Sequence, residues 1–111
     1  MGLPDLKVAR AFDVPSLEDK FRLYWFDDDK GAVGIVAAVK IIDRWVIAWP
    51  IVYRGGKEVE QEMLIYLRDS FVEDLWSEIM VEDKDSLLTL TNLGFLVADK
   101  IGHKYHMVWR V

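Results

Sequence analysis

Tyr53-Arg54-Gly55-Gly56-Lys57 is the segment of this chain whose residue types are best suited to chemistry. It leaves an apolar run and opens a periodic one, so it should join a strand to a helix. Glycines at such a junction let the backbone approach a ligand, and a helix N-terminus offers unpaired N–H groups to a phosphate. The same glycines also suit a plain strand-to-helix turn, and the local residues leave both readings open. Proton-handling groups are scattered. Glu78 heads a short apolar stretch, and Tyr53 and Tyr105 offer hydroxyls. These are the candidate catalytic residues, although a strand-edge Glu is commonly solvated and a Tyr in an apolar stripe is commonly core. His103 and His106 lie three apart, a spacing that sends them to opposite faces of a strand, so no metal site is expected. Asp27-Asp28-Asp29 lacks the further oxygen ligands of a cation loop and reads as a solvated turn.

The elements that must position these groups follow from the apolar pattern. Phe21 to Phe26 is a strand ending in the turn formers Asp27 to Gly31. Ala32 to Tyr53 is two strands around a tight turn, the second apolar on both faces. Pro50 interrupts it and calls for a bulge or a break in pairing, because proline cannot donate to a ladder. Val59, Met63, Tyr66, Leu67, Phe71 and Leu75 form one helical stripe, with Glu58, Glu60 and Glu62 near its start. Glu78 to Val81 is a short strand. Asp83 to Ser86 supplies a cap for a helix over Leu87 to Leu93, and Gly94 ends it. Phe95 to Asp99 and Tyr105 to Val111 complete the set.

The order is β-β-β-α-β-α-β-β, an α+β mixed sheet with a helix expected on each face. Trp45 to Val81 should be a crossover between parallel strands. The Tyr105 to Val111 strand is expected at an edge, where it would pair with a second copy in a homodimer.

Composition sets the bounds. The 111 residues make one domain, 1–111, with 1–20 an N-terminal arm or first strand. Apolar residues are 52% of the chain and include 5 Trp, which excludes a disordered composition. Cysteine is absent, so disulfides, thiolate catalysis and Cys-ligated zinc are excluded. A net charge of −5 argues against nucleic acid as a partner. No apolar run is long enough to span a membrane, and no signal peptide is apparent, so a cytoplasmic setting is expected.

The stretches WPIVYRGGKEVEQEMLIYL and DKDSLLTLTNLGF, in this order of elements, resemble the GNAT superfamily of acetyl-CoA-dependent N-acetyltransferases. Tyr53, Arg54, Gly55 and Gly56 match its cofactor loop, and Leu93, Gly94 and Phe95 match its later Leu-Gly-Phe. The Ser86 to Phe95 stretch is also similar to short phage-encoded members. The resemblance implies a bulged strand at Pro50 whose splay receives the pantetheine arm. It implies a cofactor site of Ile51, Val52, Tyr53, Arg54, Gly55, Gly56 and Lys57, with Arg54 to Lys57 on the pyrophosphate. The sequence departs from the family at several points. Lys57 and Val59 stand where glycine or alanine is usual, Leu90 where a tyrosine often protonates the leaving thiolate, and Asp83 where Asn is usual. The two helices that normally follow the first strand have no room before Phe21.

The function this implies is binding of acetyl-CoA or another acyl-CoA and direct transfer of the acyl group to an amine, on a small molecule or a peptide. The alternative is an inactive scaffold of this fold that binds a protein partner. An unrelated small interaction domain is the third reading.

Overall fold

The structure, a computed structural model, describes residues 10–12 and 20–111. Its elements are β1 (Arg10–Phe12), β2 (Phe21–Asp28), β3 (Gly31–Ile41), β4 (Arg44–Val52), α1 (Gly56–Ser70), β5 (Leu75–Met80), α2 (Lys84–Asn92), β6 (Leu96–Ile101) and β7 (Lys104–Trp109). The strands form one mixed sheet in the order β1-β2-β3-β4-β5-β7-β6. Among the described residues only β4 and β5 pair in parallel, as the crossover between them requires. The N-terminal arm contributes β1 to this sheet, and the rest of that arm lies outside the described residues.

The stripe on α1 buries Val59, Met63, Leu64 and Leu67 against β3 and β4. Its expected continuation to Leu75 is corrected. The helix stops at Ser70, and Leu75 is the fully buried first residue of β5. Asp69, Glu73 and Asp74 would crowd negative charge at the negative end of a longer helix. In the observed chain, Trp45 Nε1 donates to Glu73 at 2.9 Å, and Phe71 packs on the Trp45 ring with centroids 5.3 Å apart.

The helices do not take one face each. β5 and β6 both run antiparallel to β7, so they are parallel to one another. The β4-α1-β5 and β5-α2-β6 connections step the same way along the sheet, and connections of one handedness then place both helices on one face. Contacts bear this out. Arg68 Nη1 on α1 donates to the Leu93 carbonyl at the end of α2 at 2.8 Å, and the same guanidinium lies 4.9 Å from the Trp109 ring. A single core joins Trp45, Ile47, Met63, Leu67, Leu75, Leu90, Phe95 and Met107. Among the described residues no helix covers the opposite face, where Trp25, Ile41, Leu96 and Ile101 stand exposed. β7 is also not an edge. It lies between β5 and β6, so the edge that could take a second copy on that side is β6.

Ile42 in the β3–β4 turn has φ 59° and is 95% exposed. A β-branched residue in the left-handed region is strained by roughly 1–2 kcal/mol and gains nothing here by burial. Ile42→Gly should therefore raise stability by about 1 kcal/mol in a urea titration. No helix of the described residues is long and apolar enough to cross a membrane.

Candidate functional site

The site begins with a defect in β4. Gly34 and Ile35 pair with Val52 and Ile51, while Ala37 pairs with Ala48. Trp49 and Pro50 therefore oppose the single residue Val36, which is a β-bulge at the expected proline. The bulge is held close to α1. A Cβ on Gly34 would lie 2.6 Å from the Ile51 carbonyl and 2.9 Å from the Met63 methyl, so glycine is required there.

Beyond the bulge the sheet opens. β4 and β5 are in register only at Trp45–Leu75 and Val46–Trp76. Past these rows β5 pairs with β7 as far as Met80, and β4 continues beside β3 to Val52. Parallel strands paired at one end and parted at the other make a wedge-shaped cleft. α1 starts directly after β4, at the cleft's edge. Gly55 is its N-cap at φ 98° and Gly56 follows at φ 64°. Among the described residues no side chain caps this terminus, which lies in an exposed loop.

The sequence-nominated cofactor residues all sit on this end of β4 and the loop after it. Ile51 and Tyr53 are exposed, and Val52 is half-buried. The Tyr53 N–H donates to the Val33 carbonyl at 2.8 Å, and its ring rests against Trp25. Both cations are engaged within the chain. The Arg54 guanidinium grips the Asp28 carboxylate through both terminal nitrogens and also donates to the Gly31 carbonyl at 3.0 Å. Lys57 Nζ lies 3.1 Å from Glu60. Arg54 is therefore first of all a clasp that ties the β2–β3 hairpin to the glycine loop. Asp28 was read from sequence as part of a solvated turn, yet its side chain is only 9% exposed. Nothing local in the sequence signals a partner 26 residues away.

The Asp28 carboxyl is held below its ordinary range by the Arg54 hydrogen bonds first, and by the Lys30 N–H next. A lowered folded pKa means that the clasp contributes stability above the unfolded value of 3.8 and loses it as pH falls through the folded value. An NMR titration should show the Arg54 side-chain signals changing only once the pH falls below the ordinary carboxylate range, and Asp28→Asn should remove that acid transition.

The candidate proton-handling groups do not converge. Glu78 projects from β5 on the helix-free face, with Lys104 Nζ at 3.4 Å. Tyr105 pairs with Ile79 one row away, so it points to the helix face, half-buried against the core. Tyr53 stands at the loop with Trp25. Leu90, at the place of the usual tyrosine, is fully buried in the core and presents no proton donor. His103 and His106 do not share a ligand site, and among the described residues no group of side chains is arranged to hold a metal.

Sequence comparison identifies no relative: no protein-family profile and no curated protein matches the chain. The fold does have relatives. An acetyltransferase from Thermus thermophilus superposes with TM-score 0.70 at 11% identity, covering 87% of this chain and 68% of that one. The PseH N-acetyltransferase of Campylobacter jejuni, in complex with acetyl coenzyme A, gives 0.65 at 16%, covering 82% and 68%. The paiA N-acetyltransferase of Thermoplasma acidophilum, in complex with coenzyme A, gives 0.67 at 11%, covering 83% and 62%. Identities this low establish architecture alone. A mixed sheet that splays at a bulged strand, opens onto a glycine loop and matches these enzymes over more than four-fifths of its length has the fold of the GNAT N-acetyltransferases.

Proposed function

We propose that the chain binds an acyl-CoA, acetyl-CoA in the first instance, in the cleft between β4 and β5 and passes the acyl group to an amine. The observation that carries this reading is the restriction of β4–β5 pairing to two rows, with the uncapped N-terminus of α1 at the mouth of the gap. The residues present fit the cofactor through backbone rather than side chains. The N–H groups of Gly56, Lys57 and Glu58 would receive the diphosphate. The parted end of β4, residues 47–52, has no described partner on its β5 side, which suits the amide-bearing arm. A Cβ at Gly56 would meet nothing within 4 Å, so the loop leaves space for a ligand.

The thioester would supply an activated acyl group. The chain's own part is to hold the amine beside it and to take up the amine's proton, for which β5 offers one carboxylate beyond its rows paired with β4, Glu78. No cysteine is present to carry the acyl group, so transfer is direct.

The test is thermal unfolding with and without about a millimolar of acetyl-CoA, with an adenosine-only analogue as control. A hundredfold excess over the dissociation constant adds about 2.7 kcal/mol, which is several degrees for a domain of this size. Absence of a shift would reject the reading. The engagement of Arg54 by Asp28 and of Lys57 by Glu60, with Leu90 in the core, favours a second reading, an inactive scaffold for a protein partner. That reading expects no shift with any acyl-CoA.

A further inference from the structure

A cavity of about 350 Å³ lies on the helix-free face, beside the β3–β4 turn and over the rows where β4 and β5 are paired. Ile41, Ile42, Val46 and Trp76 give it apolar walls, and Arg44 stands among them. Arg44 opens β4, whereas the glycine loop follows the other end of that strand, about 25 Å away.

The Arg44 guanidinium covers the Trp76 ring, 3.8 Å from its centroid. Stacking occupies a face of the guanidinium and leaves the N–H groups in its plane unspent. Among the described residues no carboxylate pairs with Arg44. The neighbouring cations are engaged. Arg110, 5.9 Å from the same ring, is held by Asp74 at 3.2 Å, and Lys104 by Glu78 at 3.4 Å. Asp43 and Glu78 also line the cavity, the first exposed in the turn and the second beside Lys104. An oriented, unspent fork matches a carboxylate, which accepts two parallel N–H bonds. The apolar wall points the same way. Ile42 holds φ 59° at 95% exposure, and Ile41 beside it is 53% exposed. Strain kept where no packing within the chain rewards it is accounted for by a contact that covers the side chain.

We propose that this cavity binds a small monocarboxylate with an aliphatic or aromatic body. Its carboxylate lies on the Arg44 fork and its body against Ile41, Ile42 and Val46. The volume is at the lower end of small-molecule sites, with room for a body of about ten heavy atoms. Asp43 and Glu78 disfavour a second negative charge, which selects a monocarboxylate over a dicarboxylate. No bond is made or broken here, and the site stands apart from the transferase reading.

The experiment follows the Arg44 Nε–H and Trp76 Nε1–H signals of the ¹⁵N-labelled full chain by NMR as sodium hydrocinnamate is added. Both should shift and saturate together. Hydrocinnamyl alcohol, the same body without the charge, and acetate, the charge without the body, should each bind about tenfold more weakly. Arg44→Met, and Arg44→Gln beside it, keep an extended side chain and remove the fork, so both should weaken hydrocinnamate about tenfold. Ile42→Gly should weaken it about threefold while raising the unfolding temperature, a pairing that a merely structural side chain does not give. All three variants change exposed positions, and thermal unfolding establishes that they fold. A response that never saturates, equal affinity for the alcohol, or affinity unchanged by the substitutions at Arg44 or at Ile42 overturns the proposal.

Discussion

Gly55→Ala should lower stability by about 3 kcal/mol, within a range of roughly 2–5, and abolish the thermal shift with acetyl-CoA. Two separate causes act. The residue holds φ 98°, where a side chain is strained by about 1–2 kcal/mol. An added Cβ would also fall 2.2 Å from a methyl of Val59, which is fully buried. Relieving that overlap means moving Val59 within a packed core, a cost of about 1–3 kcal/mol. Because Gly55 is the N-cap, the adjustment rotates the N–H groups assigned to the diphosphate, so binding is lost with stability. Gly56 is the internal control. It has φ 64° but open space around the missing Cβ, so Gly56→Ala should cost only about 1 kcal/mol. Urea titrations of both variants, with Gly55→Ala/Val59→Ala as the double mutant, separate strain from overlap. Equal losses at Gly55 and Gly56 would show that the Val59 contact is not the cause.

What could be read from the sequence was what is local. The glycine junction, the proline-marked bulge and the Leu-Gly-Phe helix stop each depend on a few adjacent residues, and each appears where expected. The Gly94 position shows why: φ is 95°, and a Cβ would lie 2.5 Å from Trp109. What escaped was set by tertiary arrangement. Leu75 continues the helical stripe in spacing, yet the acidic residues before it end α1 and release it to β5. The sidedness of the helices follows from the order of strands, which apolar periodicity does not encode. The same is true of Tyr105, whose neighbours on both sides come from β5 and β6. At the site, residue types pointed to the loop and to Glu78. Whether Arg54 is free for a phosphate depends on Asp28, and what surrounds His106 depends on Asp99 and Glu78. These pairings are made only when the sheet assembles. His106 was weighed as half of a metal pair with His103, and its actual neighbours are carboxylates on the adjacent strands.

Leu90→Tyr should lower stability by about 3 kcal/mol and fail to create or improve transfer activity. In the resemblance to the acetyltransferases this is the position of a tyrosine that protonates the departing thiolate, so the substitution looks like a repair. The packing says otherwise. Leu90 is fully buried in the core shared with Phe95 and Met107, and its carbonyl accepts the Phe95 N–H at 3.0 Å to close the helix. A ring at this place overfills the core, which costs roughly 1–3 kcal/mol. Its hydroxyl would be carried into apolar surroundings, and leaving it unpaired costs roughly 1–3 kcal/mol more. Leu90→Phe isolates the first cost from the second, because it adds the ring without the hydroxyl. Urea midpoints for the two variants should therefore both fall, with tyrosine below phenylalanine. If tyrosine were instead the more stable of the two and raised acyl transfer to an amine, residue 90 would have access to the cleft, and the assignment of Leu90 to the core would be wrong. With Leu90 in the core, position 90 presents no proton donor to the cleft.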